Sequence, residues 1–155
     1  MTTADLIDRA RRNGAMIATA ESCTGGLIAG ALTEVPGSSD VFDRGFVTYS
    51  NAAKSDMLGV DPETIKTFGA VSEEVALAMA SGALRHSDAT LAVSVTGVAG
   101  PGGSDHKPEG RVCFGIAQNG TMPRVETIDF GPLGRAEVRQ ATVSHALHLL
   151  LSALS

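Results

Sequence analysis

The sequence predicts a single three-layer α/β/α domain built on a mixed β-sheet. Short apolar runs alternate with segments of helical period through the first two thirds of the chain, the pattern of parallel strands joined by helices. Two later runs, Arg111 to Gln118 and Pro123 to Phe130, flank Asn119-Gly120, a hairpin signal that adds antiparallel strands. With 155 residues there is room for one domain with a real core and not for two ordinary ones. No internal repeat, linker or low-complexity segment interrupts it.

Residues 3 to 13 form the first expected helix, with Thr2 or Thr3 as cap, Asp5 near the positive end and Leu6, Ile7 and Ala10 on one face. Asn13-Gly14 ends it. Ala15 to Ala20 is apolar throughout, as suits a strand covered on both faces. After Glu21-Ser22-Cys23-Thr24-Gly25-Gly26, the residues Leu27, Ile28, Ala31 and Leu32 recur at helical spacing until Pro36-Gly37. Asp43 to Tyr49, rich in β-branched and aromatic residues, predicts a second strand. A helix capped by Ser50 or Asn51 then runs to Gly59, a short one spans Pro62 to Thr67, and a longer one opens at Ser72 and ends near Arg85-His86. Ala89 to Thr96 is an apolar strand, and Gly134-Arg135 leads into the closing helix with Val138, Ala141, Val143, Ala146, Leu147, Leu150 and Leu151.

Composition narrows the function classes. Apolar residues at 43% and charged residues at 19% mark a globular chain rather than a disordered one. A formal charge of −5, with the Lys and Arg scattered apart from Arg9, Arg11 and Arg12 on a solvated helix face, argues against a general nucleic-acid binder. No run of about 18 apolar residues and no signal-peptide pattern occurs, so a cytoplasmic setting is expected. Cys23 and Cys113 lack metal-ligand spacing, and a structural disulfide is not expected. Aromatic residues are scarce, which excludes a base-stacking platform and draws attention to the lone Tyr49.

The strand-to-helix turn from Thr19 to Gly26 is the first candidate site. A helix N-terminus offers unpaired N–H groups and partial positive charge to an anion or a developing oxyanion; the plain alternative is that Thr24 or Ser22 only caps the helix. The second is Gly97-Val98-Ala99-Gly100-Pro101-Gly102-Gly103-Ser104, four glycines within seven residues. It matches neither a Walker motif nor a dinucleotide fingerprint, but it follows a buried strand, and ligands of open α/β sheets sit beyond the carboxyl ends of strands. Ser22, Tyr49, Ser50 and Thr96 all lie just past such ends, with Lys54 one helical turn beyond Ser50. If those strands are parallel neighbours, these residues converge.

No Ser-His-Asp set is available at that rim: His86 follows a helix, His106 sits in a loop, and His145 and His148 lie within the last helix. Lys54 is the better base for Ser22, because Ser-Lys pairs replace the triad in other hydrolases. It would need desolvation to shed its proton near neutrality. Cys23 at a helix N-terminus is the rival nucleophile, and Glu21 would serve either as acid or base or to orient Lys54. Backbone N–H groups around Thr24, Gly25 and Gly26 are candidate oxyanion donors.

Taken together, Glu21 to Gly26, Tyr49-Ser50-Asn51-Ala52-Ala53-Lys54, Gly69-Ala70-Val71-Ser72, Thr96 to Gly103 and Lys107-Pro108-Glu109-Gly110 resemble the CinA C-terminal domain family, in order and over nearly the whole chain. Characterised members of that family are nicotinamide-nucleotide amidases of the PncC type. The resemblance implies an α/β/α fold, hydrolysis of nicotinamide mononucleotide to nicotinic acid mononucleotide and ammonia in pyridine nucleotide recycling, no metal or other cofactor, and a homodimer. It places Ser22 as nucleophile and Lys54 as general base. Tyr49, Thr96 and the glycine loop (Gly97, Gly100, Gly102, Gly103) would line the pocket, with Arg135 as a substrate-contacting arginine. Glu21, Thr24, Gly25, Gly26 and Ser50 complete the expected substrate-binding set. A nucleotide-binding regulatory module without turnover is the alternative, and a DNA-associated competence factor is disfavoured by the charge.

Overall fold

The computed structural model describes residues 1–104 and 106–155. Its elements run α1 (Thr3–Arg12), β1 (Ile17–Glu21), α2 (Leu27–Thr33), a 3-10 turn (Ser38–Asp40), β2 (Phe42–Val47), α3 (Asn51–Leu58), α4 (Pro62–Phe68), α5 (Glu73–Arg85), β3 (Leu91–Gly97), β4 (Arg111–Gln118), β5 (Arg124–Asp129) and α6 (Arg135–Ala153). The five strands form one sheet in the order β2-β1-β3-β4-β5. β1 is parallel to both β2 and β3, while β4 and β5 are antiparallel additions. The expected mixed sheet is therefore present, and the expected parallel neighbours are β2, β1 and β3.

Local signals explain most boundaries. Thr2 and Asp5 form a reciprocal capping box, the Thr2 Oγ1 accepting from the Asp5 N–H and the Asp5 carboxylate from the Thr2 N–H. Ser50 and Ser72 cap α3 and α5, and Gly59 closes α3 with φ +70°. β1 begins at Ile17 rather than Ala15, because the Ala15 N–H returns to the Ala10 carbonyl at 2.9 Å and finishes the helix. It extends through Glu21, which pairs with both Val47 and Val95. β2 stops at Val47, so Thr48 and Tyr49 leave the sheet and carry the chain over its carboxyl-end rim.

Period-two alternation divides the sheet between two cores. Ile17, Leu91, Val93 and Val95 face a layer made by α1, α2 and α6, together with Leu6, Ile28, Val138, Ala146 and Leu150. Ala18, Ala20 and Ala92 face α3, α4 and α5, with Leu58, Ile65, Val75, Met79 and Ala83. The second face is made of small residues, and α5 sits close upon it: a Cβ at Gly115 would lie 2.6 Å from the Ala76 carbonyl oxygen and from Ser94 Oγ. Gly82 plays the same part between helices, since a Cβ there would overlap the Leu58 carbonyl oxygen of α3.

The chain order places a switch point in this sheet. From β1 the chain passes through α2 to β2 on one side, then through α3, α4 and α5 to β3 on the other side of β1. The connecting segments diverge and leave a crevice outside the carboxyl ends of β1 and β3, where open α/β sheets bind ligands. Ser22 and Thr96 stand at that crevice.

Candidate active site

Ser22 is the first residue past β1, held there by its N–H to the Val95 carbonyl at 3.1 Å. Lys54 lies in the first turn of α3, and its side chain runs inward along the rim, leaving the residue 1% exposed. Its Nζ donates to Ser22 Oγ at 3.0 Å and to the Thr48 carbonyl at 2.9 Å. No carboxylate among the described residues forms a salt bridge with it. An ammonium with neutral partners and little water gains no compensation for its charge, so burial pulls the Lys54 pKa below the ordinary lysine value. That is the condition for a lysine to accept a serine proton.

Glu21 does something the sequence does not suggest. Its buried carboxylate accepts from Thr24 Oγ1 at 2.5 Å, from the Ile28 N–H at 2.9 Å and from the Ala29 N–H at 2.9 Å. It thus satisfies the first turn of α2 and puts its charge on the positive end of the helix dipole. The formal cap position is Gly26, at φ +106° and with no capping side chain. The expectation that Thr24 or Ser22 caps this helix is corrected: Thr24 is spent on Glu21, and Glu21 supplies the cap from one residue before Ser22. Nor does Glu21 orient Lys54 by a hydrogen bond, since the Lys54 partners are Ser22 and Thr48.

Cys23 is 5% exposed and belongs to the core under α2 and α6. Burial pushes its thiol up to about 12, which removes the thiolate a nucleophile needs. The Gly25 N–H donates to the Ser22 carbonyl at 3.1 Å, the Leu27 N–H to Thr24, and those of Ile28 and Ala29 to Glu21. Among the described residues, the amides of Cys23, Thr24 and Gly26 are left as the remaining donors of the turn.

A cavity of about 290 Å³ opens beside Ser22 and Lys54. Its far wall is the end of β3 and the loop after it, where Thr96 Oγ1 donates to the Ala70 carbonyl at 2.8 Å and Gly97, Gly100, Gly102 and Gly103 border the space. Glu109 braces that loop by accepting from the Gly102 N–H at 2.7 Å, and a Cβ at Gly100, where φ is +93°, would lie 2.6 Å from the Glu109 carboxyl carbon. Lys107 ties the same segment to the Val71 carbonyl at 3.0 Å. Across the mouth, Arg135 donates to Tyr49 Oη at 2.6 Å and to the Gly100 carbonyl at 2.7 Å. Among the described residues, the cavity is lined by two basic side chains, Lys54 and the guanidinium of Arg135, and by no carboxylate. It is suited to an anionic guest.

The structure thus brings together Ser22, Lys54, Tyr49, Thr96, Gly97, Gly100, Gly102, Gly103 and Arg135 around one space. Glu21, Thr24, Gly25, Gly26 and Ser50 do not border it: the first four build the turn behind Ser22, and Ser50 Oγ accepts from the Ala53 N–H at 3.0 Å as the cap of α3. Asn51, Ala70 and Val71 also line the cavity, and nothing in their residue types marks them for it. The sequence does not single out Arg139 either, although its position one helical turn after Arg135 is a signal. The histidines lie elsewhere, with His145 paired to Glu126 and His86 bonded to the Gly82 carbonyl. Among the described residues no group of three His, Cys, Asp or Glu side chains is placed to hold a metal ion, and no helix is long and apolar enough to cross a membrane.

Comparison with known proteins agrees with this architecture. The CinA C-terminal domain model matches residues 2–154. A CinA-like protein of Chlorobium phaeobacteroides is 60% identical over 122 residues, 77% of this chain and 29% of that protein. A putative competence-damage inducible protein of Caldicellulosiruptor saccharolyticus is 48% identical over 147 residues, 94% of this chain and 35% of that protein. The chain therefore spans about a third of the length of the curated relatives it matches. Among solved structures, the competence/damage inducible protein CihA from Agrobacterium tumefaciens superposes with TM-score 0.90 at 54% identity, covering 98% of this chain and 94% of that one. The CinA superfamily protein from Escherichia coli gives 0.92 at 35% identity, covering 96% and 86%. The chain belongs to the CinA C-terminal domain family.

Proposed function

We propose that this domain is an amidase that hydrolyses the carboxamide of nicotinamide mononucleotide, giving nicotinic acid mononucleotide and ammonia. The observation that carries the reaction class is the 3.0 Å hydrogen bond from Lys54 Nζ to Ser22 Oγ at the floor of a cavity free of carboxylates among its described lining. The choice of nucleotide rests on the family resemblance of the motifs and is supported by the cationic lining. Neutral Lys54 takes the Ser22 proton as Oγ attacks the amide carbon. The carbonyl oxygen becomes an oxyanion, for which the Cys23 N–H is the candidate donor, Cys23 being the residue after Ser22 that lines the cavity. Lys54 returns the proton to the leaving nitrogen, ammonia departs and Ser22 carries the acyl group as an ester. Water, losing its proton to Lys54, then releases the acid and restores the serine. Arg135 and the glycine-loop amides are the donors available to the phosphate. The same resemblance brings a homodimer with it, which light scattering tests.

The test is ammonia release from nicotinamide mononucleotide, with nicotinamide and the riboside as controls. Ser22→Ala and Lys54→Ala each lose about 10³-fold or more in kcat while remaining folded, and Cys23→Ala keeps most of its turnover. Full activity in Ser22→Ala with loss in Cys23→Ala would identify a thiol enzyme instead. Tight calorimetric binding with no acid formed on long incubation would identify a binding module, and equal activity on all three compounds would refute phosphate recognition.

A further inference from the structure

The turn that carries Ser22 is held by a side chain that, among the described residues, hydrogen-bonds to neither Ser22 nor Lys54. Arg139, half-buried in the second turn of α6, donates from Nε to the Cys23 carbonyl at 3.1 Å and from a terminal nitrogen to the Thr24 carbonyl at 3.3 Å. The guanidinium forms no salt bridge among the described residues. Its charge is directed at two consecutive peptide groups of the turn. The planar fork reaches the two acceptors from two different nitrogens held in one fixed geometry, which the single nitrogen of an ammonium does not reproduce.

A trans peptide carries its N–H antiparallel to its C=O. Fixing the Cys23 and Thr24 carbonyls toward α6 therefore turns the Thr24 and Gly25 N–H groups the other way. The Gly25 N–H closes the turn onto the Ser22 carbonyl, and the Thr24 N–H has no internal acceptor among the described residues. A guanidinium on the carbonyl end also polarises that amide, strengthening its donor end. Gly25 beside this contact is at φ +58°, a backbone conformation that favours glycine.

We propose that Arg139 is a positioning residue of the site, locking the turn after Ser22 so that the nucleophile and the peptide groups that follow it keep their geometry through the reaction. The proposal rests on the Ser-Lys amidase reading for its substrate. The fork must hold two carbonyls, so Arg139→Lys and Arg139→Gln both lower kcat about tenfold or more while KM stays within about twofold. Arg139→Ala regains part of the loss on adding methylguanidinium. An independent readout is the rate at which Ser22 is labelled by a fluorophosphonate, which needs no nucleotide and falls in the same variants. Unchanged kcat and labelling per folded molecule would overturn the proposal and leave the amidase intact. So would a loss that only tracks the folded fraction, without rescue by methylguanidinium. If the wild type releases no ammonia yet labels at Ser22, the amidase reading fails and the labelling rates still decide Arg139. A wild type that does neither overturns both.

Discussion

Glu21→Gln separates the roles that a carboxylate one residue before the nucleophile can have. The substitution keeps the shape and removes the charge. In the native turn one oxygen accepts from Thr24 and Ile28 and the other from Ala29. An amide can accept at one of these positions only and must present a donor at the other, so at least one buried N–H faces another N–H. The lost charge-assisted bond is worth about 1.5–3 kcal/mol, and an unsatisfied buried donor costs about 1–3 kcal/mol, with partial relaxation offsetting some of both. A net loss of about 2–4 kcal/mol is expected. At about 2–4 °C per kcal/mol for a chain of this size, Tm falls by roughly 5–15 °C. Urea denaturation with unchanged m measures it directly. Because the same bonds shape the turn behind Ser22, kcat falls as well, without a new limb in the pH profile. A variant of native stability that loses a titrating limb would refute the capping role and restore Glu21 as an acid or base.

Further outcomes follow from burial and from the space around two glycines. The neutral amine of Lys54 is the reactive form, so kcat/KM rises with pH through the lowered Lys54 pKa and levels off above it, with its midpoint below the ordinary lysine value. Between those two values the unfolded chain binds more protons than the folded one, so stability also rises with pH across that window; urea titrations show this slope in the wild type and not in Lys54→Met. Gly82→Ala loses about 2–3 kcal/mol by urea denaturation, because its Cβ overlaps the Leu58 carbonyl. Gly30→Ala, in α2 with no neighbour within 4 Å of its would-be Cβ, gains roughly 0.5–1 kcal/mol.

Features set by neighbours along the chain are legible in the amino-acid sequence itself. The bounds of β4 and α3 match their expected ones because Asn119-Gly120, Ser50 and Gly59 punctuate them locally. The convergence of Ser22, Tyr49 and Thr96 is legible conditionally, and the parallel pairing of β1 with β2 and β3 meets the condition. The short 3-10 turn at Ser38–Asp40 escapes, since Ser and Asp there read equally well as loop. The residue type of Glu21 suggests a site group, whereas its function is fixed by which amides it meets once α2 turns back over β1. The contacts of Arg139 and Glu109 are not legible for a related reason. Their partners are backbone groups, which every residue carries, and the two acceptors of Arg139 lie 116 and 115 positions away.

The last helix has a consequence for how the site holds its working shape. Ser22 and Lys54 are 32 residues apart, but α6 supplies both the arginine across the mouth and the one behind the turn. The same helix is anchored in the core by Val138, Ala146 and Leu150. Its docking is thus a single latch on two walls: opening it releases Tyr49, the glycine loop and the turn after Ser22 in one motion. Local unfolding of α6 would then silence the site while the sheet remains intact. Thermal inactivation should therefore precede the loss of β-structure, with the gap between the two set by how firmly those three side chains hold the helix to the sheet.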